Sequence, residues 1–219
     1  MAMGTLSEEN YLKAIYHLSQ PGGEKVTPTA IARVLTNNPA SVIDMLKKLT
    51  EKKLISYDKK RGAKLTGSGI KAAMEIVRKH RLWEVFLLEK LGYKWDEVHN
   101  IAEQLEHVGS GELADRLEKF LGFPDYDPHG DPIPKADGKI ADVFKTMLIE
   151  VESGKQYKVV AVKDTSAEFL NYLQKLGIGI GTRLKVIEKI PFDGSLVVQI
   201  GKDAHTTISN KFAENVLVG

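Results

Sequence analysis

The N-terminal third of the chain repeats apolar residues at helical spacing and is interrupted by short polar turns. Two of the predicted helices begin with a capping residue followed by proline, at Thr27-Pro28 and Asn38-Pro39, which is a typical helix start. A basic turn with Gly62 follows, flanked by two short segments of β type. The predicted elements are helices over residues 7–19, 28–35 and 39–52 and strands over residues 54–57 and 63–65.

The order helix, helix, turn, helix and basic hairpin is that of a winged helix-turn-helix. The alternative is a small α+β domain whose basic hairpin is only solvated. We favour the winged helix-turn-helix because the spacing of the turns and the location of the positive charge indicate it independently.

The middle of the chain is predicted to be helical and the C-terminal part to be β-rich. Apolar residues at helical spacing predict helices over residues 69–91, 96–108 and 111–121. Proline, glycine and acidic residues predict an extended connection over residues 122–138. The remaining pattern predicts a small, mostly antiparallel barrel. Its elements are strands over residues 157–162, 183–190, 196–200 and 216–218 and a helix over residues 167–176.

Composition narrows the chemistry that is available to the chain. Its 219 residues exceed a typical single domain, so two or three compact units are expected. The absence of cysteine excludes disulfides, thiolate nucleophiles, Fe–S clusters and cysteine-based zinc sites. No apolar run approaches the roughly 18 residues that span a bilayer, and the first residues lack a signal-peptide core. We therefore expect a cytoplasmic protein without a membrane partner.

Charge is segregated along the chain, although the net charge is only +2. Residues 47–64 carry eight Lys and Arg against two acids, whereas residues 96–118 carry seven acids against one Arg. The first segment is suited to an anionic partner such as DNA, and the second to cations.

A stripe of histidines and carboxylates, without Lys or Arg among them, lies in the predicted helix over residues 96–108. At about 100° per residue its four members cover one arc of about 100°, and two further residues of the same kind lie one helix earlier. Such ligands suit Mn²⁺, Fe²⁺, Zn²⁺ or Co²⁺. A polar stripe is usually a solvated face, but six such residues on two helices favour a divalent metal. They are His80, Glu84, His99, Glu103, Glu106 and His107.

The second helix of a helix-turn-helix lies in the DNA major groove, with its N-terminal residues at the base edges. Here those residues are small or short and polar, and basic residues on the helix and hairpin are suited to phosphate contacts. The helix has no Arg directed at guanine, so some reliance on DNA shape is expected. The candidate DNA-binding residues are Thr27, Asn38, Pro39, Ala40, Ser41, Asp44, Lys47, Lys48, Lys59, Lys60 and Arg61.

Along nearly its whole length the chain resembles the diphtheria toxin repressor family of metal-dependent transcriptional regulators, including the manganese transport regulator branch. The C-terminal segment looks like the SH3-like barrel of that family, which is related to the FeoA domain of ferrous transport. The motifs that carry the resemblance are EENYLKAIYHL, IARVLTNNPASV, KHRLWE, VHNIAEQLEH, DPHGDPIP and FLNYLQKLGIGIGTRLKV.

The resemblance implies a mainly α fold with small β parts in three domains. A winged helix-turn-helix DNA-binding domain is expected over residues 1–72. A helical metal-binding and dimerisation domain is expected over residues 73–140, and an SH3-like FeoA-type domain over residues 141–219.

The resemblance also implies two metal positions. The first would use Asn10, Glu103, Glu106 and His107. The second would use His80, Glu84 and His99, with Glu168 of the barrel as a further candidate. Glu103 stands where iron-type members have Cys, so Mn²⁺ is favoured, with Fe²⁺ as the alternative and Zn²⁺ or Co²⁺ expected to substitute in vitro. Asn10 and Lys13 depart from the family pattern, because manganese-type members place carboxylates there.

The expected function is that of a homodimeric regulator of metal-ion homeostasis, in the first place a repressor. It would bind palindromic operator sites in double-stranded DNA when Mn²⁺ or Fe²⁺ is bound. The alternative is a winged-helix regulator that senses a non-metal ligand and carries a structural metal site. An enzyme with a small-molecule substrate is not expected, because the chain has no HExxH pair, nucleophile elbow or phosphate-binding glycine loop.

Overall fold

The computed structural model describes residues 5–20, 23–141, 144–201 and 204–219. The helices in these residues are α1 (Leu6–Leu18), α2 (Pro28–Val34), α3 (Pro39–Glu51), α4 (Gly67–Leu91), α5 (Val98–Leu105), α6 (Gly111–Phe120), α7 (Ala167–Lys175) and α8 (Asn210–Glu214). The strands are β1 (Ile55–Asp58), β2 (Gly62–Leu65), β3 (Thr146–Met147), β4 (Gln156–Val162), β5 (Arg183–Lys189), β6 (Leu196–Ile200), β7 (Ala204–Ile208) and β8 (Val216–Val218). Within these ranges no helix has the length and apolar character needed to cross a membrane.

The chain divides into two compact units. Unit 1 consists of Met1–His80, Glu103–Lys119 and Pro134–Lys139. Unit 2 consists of Arg81–Ala102, Phe120–Ile133 and Ile140–Gly219. Because the boundaries fall within α4, α5 and α6, each of these helices contributes residues to both units.

Local capping interactions define the first three helices of unit 1. Thr5 and Glu8 form a capping box at α1, in which the Glu8 amide donates to the Thr5 hydroxyl and the Thr5 amide donates to Glu8 Oε2 at 3.0 Å. Thr27 and Asn38 cap α2 and α3, and proline follows each of them in the first turn. The cap-then-proline pattern therefore predicted both helix starts correctly.

Apolar faces of α1, α2 and α3 pack together with β1, β2 and the start of α4. The core of unit 1 includes the fully buried residues Ile15, Ile31, Leu46 and Leu49. Strands β1 and β2 pair antiparallel, with Ile55 opposite Leu65, and form the wing. The order of elements predicted for a winged helix-turn-helix is confirmed.

The C-terminal part of unit 2 is a six-stranded antiparallel sheet in the order β3-β8-β4-β5-β6-β7. Its inward residues form one core with the apolar residues of α7 and α8, including Val159, Leu173, Leu184 and Val198. This confirms the antiparallel, β-rich character predicted for the region. Strands β3 and β7 were missed because both lie at sheet edges, where fewer apolar residues are needed, and the five-residue α8 is too short for a helical period.

The helix predicted over residues 96–108 is shorter at both ends than expected. It ends at Leu105, and the Val108 amide then donates to the Leu105 carbonyl in a turn that leads to Gly109 at φ +83°. Glu106 and His107 therefore lie in this turn and not on one helical arc with His99. The apolar period of the sequence therefore continues past the end of the helix.

The proline-rich segment of unit 2 is an ordered turn without a helix or strand, as predicted. Asp127 Oδ1 accepts hydrogen bonds from the backbone amides of His129 (2.8 Å) and Asp131 (2.9 Å). Gly130 has φ +84°, and a Cβ there would lie 2.0 Å from the Val160 carbonyl oxygen of β4. Glycine is therefore required where this turn packs against the sheet.

Candidate metal centre and nucleic-acid interface

The first turn of α3 presents small polar residues to solvent. Asn38 Oδ1 accepts the Ala40 amide hydrogen bond at 2.7 Å, which fixes the start of the helix. Asn38, Pro39, Ala40 and Ser41 are all exposed. The side chains that the sequence assigns to base contacts thus lie together on one exposed helix end.

The basic residues assigned to phosphate contacts fall into two groups. Lys59, Lys60 and Arg61 are exposed at the β1–β2 turn, which is held by hydrogen bonds from the Lys60 and Arg61 amides to Asp58 Oδ1. The α3 lysines are engaged by carboxylates, since Lys47 pairs with the exposed Asp44 at 3.0 Å. The Thr27 hydroxyl accepts the Ala30 amide as the α2 cap, so a structural role already accounts for it.

Glu8 of α1 ties α1 to the C-terminal half of α3. Its buried carboxylate lies 3.1 Å from Lys48 Nζ and 2.7 Å from Lys52 Nζ. Burial alone would raise the pKa of Glu8, but hydrogen bonds from Lys52, the Thr5 amide and Lys48 outweigh it and lower that pKa to about 2. Lys48 therefore contributes to the packing of α1 against α3.

Four of the predicted metal ligands lie together in unit 1, around the side chain of Lys13. His80 Nδ1 lies 2.6 Å from Glu106 Oε2. The Lys13 ammonium lies 2.6 Å from Glu106 Oε2, 2.7 Å from Glu103 Oε1 and 3.2 Å from His80 Nδ1. His107 is adjacent, with Nε2 3.5 Å from Glu106 Oε1. Residues from α1, α4, α5 and the turn after α5 thus form one cluster, which we call the unit 1 cluster: Lys13, His80, Glu103, Glu106 and His107.

Two atoms of the unit 1 cluster are buried without a hydrogen-bond partner among the described residues. They are Glu106 Oε1 and His107 Nε2, the same two atoms that lie 3.5 Å apart. Glu106 is completely buried. Buried polar atoms are nearly always satisfied, so such a pair calls for a specific explanation.

Glu9 of α1 orients the His107 imidazole. Its Oε2 lies 2.7 Å from His107 Nδ1, and both side chains are largely buried. With the proton on Nδ1 donated to this carboxylate, the lone pair of Nε2 is left for a ligand, as in carboxylate–histidine–metal arrangements.

A second cluster, in unit 2, is centred on Glu84. Glu84 Oε1 lies 3.0 Å from His99 Nδ1 and 3.5 Å from His129 Nδ1. The His129 ring stacks on Trp95 with an interplanar angle of 19°, and the Trp95 indole N–H donates to the Pro128 carbonyl at 3.0 Å. We call Glu84, His99, Asp127 and His129 the unit 2 cluster.

The unit 2 cluster carries its own cation and a surplus of buried carboxylates. Arg81 lies 3.4 Å from Asp127 and 3.6 Å from Asp131. Burial, together with the negative charges of Glu84 and Asp131, raises the pKa of Asp127 to about 7 despite Arg81. Burial by itself would lower the pKa of His129, but the hydrogen bond and charge of Glu84 raise it above the ordinary value.

Two predicted ligands are not brought into these clusters by any recorded contact. Asn10 lies on α1, and the described residues give its side chain no hydrogen bond or ion pair. Glu168 lies exposed in the first turn of α7, likewise without an interaction in the described part of the chain. The neighbouring helix residue Asn171 contacts Asp96 at 3.0 Å.

Sequence reasoning missed several residues of both clusters. Glu9 was passed over in favour of its neighbour Asn10, although the i, i+4 spacing of Glu9 and Lys13 places them on one face of α1. His129 was seen within DPHGDPIP but had no assignable partner, because its contact with Glu84 joins residues 45 positions apart. Arg81 and Asp127 were missed for the same reason.

The donor atoms of the unit 1 cluster fit a divalent cation. One imidazole nitrogen and one carboxylate oxygen are buried, unpartnered and adjacent, and Glu9 fixes the tautomer that a ligand requires. Nitrogen and oxygen donors of this kind suit Mn²⁺, Fe²⁺ or Zn²⁺.

Three family models match consecutive parts of the chain. The N-terminal DNA binding domain of the iron dependent repressor matches residues 3–63. The metal binding and dimerisation domain of the iron dependent repressor matches residues 66–135. The FeoA domain matches residues 146–219.

Similar proteins match nearly the whole chain. The iron-dependent repressor IdeR of Mycobacterium leprae is 30% identical over 224 residues, which cover 96% of this chain and 95% of that protein. A manganese-dependent transcriptional repressor solved in complex with manganese has a TM-score of 0.87 and 35% identity, covering 96% of this chain and 98% of that chain. The structure of ScaR with bound Zn²⁺ has a TM-score of 0.81 and 32% identity, covering 97% and 98%. The chain belongs to the iron-dependent repressor family, the diphtheria toxin repressor family that its motifs predicted.

Proposed function

We propose that this chain is a metal-responsive transcriptional repressor of metal-ion homeostasis, which binds operator DNA when Mn²⁺, or alternatively Fe²⁺, is bound. Family membership supports a regulator and not an enzyme. The observation that carries the metal assignment is the pair of buried, unpartnered atoms Glu106 Oε1 and His107 Nε2.

We assign the roles along the chain with the boundaries that the sequence predicts. Residues 1–72 are assigned to DNA, residues 73–140 to metal binding and dimerisation, and residues 141–219 to the FeoA-type barrel. The three matched family models support this division. The two compact units group residues by contact and therefore have other boundaries.

The first metal position is assigned to Glu103, Glu106 and His107, with Asn10 as a neutral candidate. A divalent cation bound there would link Glu103 of α5 to the side chains of Glu106 and His107 in the turn that follows. Glu9 holds that imidazole from α1, so the position of α1 and the geometry of the ligands depend on each other.

The same helix connects the ligands to the DNA-reading helix within unit 1. Glu9 contacts His107, and the preceding residue Glu8 contacts Lys48 and Lys52 of α3. A change in the orientation of α1 would therefore be transmitted to α3 through the buried Glu8 carboxylate and its two half-exposed lysine partners. Metal shifts the DNA-binding equilibrium only if it is bound more tightly in the DNA-competent arrangement.

Within unit 2 the second metal position is assigned to Glu84 and His99, to which we add His129 as a candidate ligand. Glu84 is within 3.5 Å of both His99 and His129. Glu168 stays a candidate from the family resemblance. The charge of Arg81 already offsets part of the negative charge of this cluster, so we expect weaker metal binding here than in unit 1.

We further propose that the repressor is a homodimer that reads a palindromic site in double-stranded DNA. Unit 2 exposes Phe120 (65%) and Phe123 (60%), with Phe86 6.1 Å from Phe120 between ring centroids. Exposed aromatic residues that lie close together are typical of protein–protein contacts. Two copies would present two α3 helices to successive major grooves.

Selection from a random double-stranded DNA library tests the proposed function without knowledge of the operator. We expect the wild-type chain to enrich one two-fold symmetric sequence in the presence of Mn²⁺ and none in the presence of EDTA. Glu106→Ala is expected to abolish the enrichment. Glu112→Gln is the matched control, because Glu112 is an exposed carboxylate of unit 1 whose partner among the described residues is Arg116 at the surface.

Two other outcomes of the DNA selection would contradict parts of the proposal. Equal enrichment with Mn²⁺ and with EDTA would contradict a metal-responsive repressor and favour a regulator that senses another ligand. Enrichment of an asymmetric sequence would contradict the homodimer, and substitution of Phe120 by Glu with sedimentation analysis would then test the aromatic face directly.

A further inference from the structure

Lys13 occupies the centre of the unit 1 cluster. Its ammonium group lies within 3.2 Å of three predicted metal-ligand atoms, Glu103 Oε1, Glu106 Oε2 and His80 Nδ1. These atoms come from α4, α5 and the turn after α5, and the lysine comes from α1. A single side-chain cation is thus surrounded by the kind of donors that surround a metal ion.

This contact differs from an ordinary surface ion pair. The Lys13 side chain is largely buried, and Glu106 is completely buried. An ammonium group has only donors, so each lone pair that it engages is withdrawn from other uses. A buried carboxylate requires a positive partner, and Lys13 supplies it for Glu106 Oε2 and Glu103 Oε1.

The two oxygens of Glu106 therefore face different surroundings. Oε2 is engaged by Lys13 and His80, at 2.6 Å each, whereas Oε1 is unpartnered beside the unpartnered Nε2 of His107. A carboxylate with separate partners on its two oxygens is the arrangement that bridges two cations in binuclear sites. In this chain one of the two cation positions is filled by a covalently attached ammonium group.

We propose that Lys13 is a resident cation that takes the place of a second divalent ion, so that the unit 1 cluster binds one ion at Glu106 Oε1 and His107 Nε2. This inference rests on the proposed function, because it assumes that the cluster binds a divalent metal. It adds that the number of ions is set by the residue at position 13.

The number of Mn²⁺ ions bound per chain tests directly whether the residue at position 13 sets the number of ions. We expect Lys13→Met to bind one more Mn²⁺ per chain than the wild-type protein in equilibrium dialysis with elemental analysis. Because Glu106 would bridge the two ions, the Mn²⁺ electron paramagnetic resonance spectrum should show spin coupling that the wild type lacks. His107→Ala in the wild-type background is expected to lose one Mn²⁺, which assigns the first ion to this cluster.

Lys52→Met is the matched control. Lys52, the C-cap residue of α3, is also a lysine of unit 1 that pairs with a buried glutamate, Glu8, but it lies outside the cluster. Its substitution should leave the stoichiometry unchanged. An equal Mn²⁺ content in Lys13→Met and wild type would overturn the inference and leave the proposed function intact.

A measurement on the wild-type protein covers the case in which Lys13→Met does not fold. Acetylation of lysine amines, read by mass spectrometry, should leave Lys13 protected both with EDTA and at saturating Mn²⁺. If Mn²⁺ exposed Lys13 to acetylation, the ion would have displaced the ammonium group, and the inference would be wrong. If the wild-type chain bound no Mn²⁺ at all, the proposed function would fail together with the inference.

Discussion

The unit 1 and unit 2 clusters are built from the same residue types but balance their charges differently. In unit 1 the Lys13 ammonium contacts Glu103 and Glu106 directly, and one carboxylate oxygen and one imidazole nitrogen are left unpartnered. In unit 2 Glu84 Oε1 lies near two imidazoles, and the Arg81 guanidinium faces Asp127 at 3.4 Å.

We expect this difference to distinguish a tighter metal position in unit 1 from a weaker one in unit 2. In unit 2 the surplus of negative charge is met by a raised pKa of Asp127, so a proton can replace a cation there. In unit 1 the carboxylates already pair with the Lys13 ammonium group. The atoms without a hydrogen-bond partner among the described residues are Glu106 Oε1 and His107 Nε2. Unpartnered donor atoms, more than the number of buried acids, therefore identify the position with the stronger requirement for metal.

The largest expected effect is on Mn²⁺ affinity, and it compares the variants Glu106→Gln and Glu84→Gln. We expect Glu106→Gln to weaken the tightest Mn²⁺ site about a thousandfold, or ~4 kcal/mol, because it removes a bound carboxylate oxygen. Glu84→Gln should weaken the same site by about tenfold or less, as a residue outside its ligand set does. Isothermal titration calorimetry with Mn²⁺ measures both. A larger loss for Glu84→Gln would reverse the roles that we assign to the two clusters.

Stability gives a second comparison, between two arginines of α4. Arg78 belongs to unit 1, where its buried guanidinium lies 2.6 Å from the buried Glu118 and 2.7 Å from Asp115. Arg78→Met leaves Glu118 buried without this partner, and we expect it to lower the free energy of unfolding by about 3 kcal/mol. Arg81→Met in unit 2 should cost less, because Asp127 can take up a proton near neutral pH. Urea unfolding near pH 7 measures both, and equal losses would show that the raised pKa of Asp127 gives no such relief.

Much of this architecture could be predicted from the sequence, because it depends on local patterns. Capping residues followed by proline defined α2 and α3, and the i, i+3 and i+4 spacing of His and Glu drew attention to the segment that contributes Glu103, Glu106 and His107 to the unit 1 cluster. The prediction that these side chains share one helical arc was wrong beyond Leu105. Apolar periodicity does not reveal that the helix ends there and that a turn containing Gly109 follows. Contacts between distant residues were not accessible from one sequence, and these include Lys13 with Glu106 and Glu84 with His129.

The pH dependence of stability provides a third test, at Glu8 of unit 1. The pKa of Glu8 is lowered from 4.5 to about 2, because the hydrogen bonds to its carboxylate, mainly from Lys52, outweigh the effect of burial. A lowered carboxylate pKa stabilises the folded state above the unfolded pKa, and that contribution is lost as the pH falls from 4.5 towards 2. At low salt we expect the wild type to lose about 2 kcal/mol from this group between about pH 7 and about pH 3.

Glu8→Gln should remove that part of the pH dependence. The variant is expected to be less stable than the wild type near neutral pH and to approach it at acid pH, in urea unfolding at a series of pH values. In unit 2 the sign is opposite, because the pKa of Asp127 is raised from 3.8 to about 7, so the stability of Asp127→Asn relative to the wild type should increase as the pH rises from about 4 to about 7. A pH profile of Glu8→Gln that runs parallel to the wild type would contradict the assigned role of the Lys52 pair.

The smallest expected effect concerns Glu9, which contacts a ligand without being assigned as one. Glu9→Gln keeps the size of the side chain but removes the charge that faces His107 Nδ1 at 2.7 Å. A carboxylate in this position makes Nε2 a better donor, so we expect about a tenfold weaker Mn²⁺ affinity at the unit 1 cluster. The number of bound ions should stay the same, because neither the open atom pair nor Lys13 is altered. Calorimetry with Glu112→Gln as the control measures the change, and a loss of one whole ion would instead make Glu9 a direct ligand in place of its neighbour Asn10.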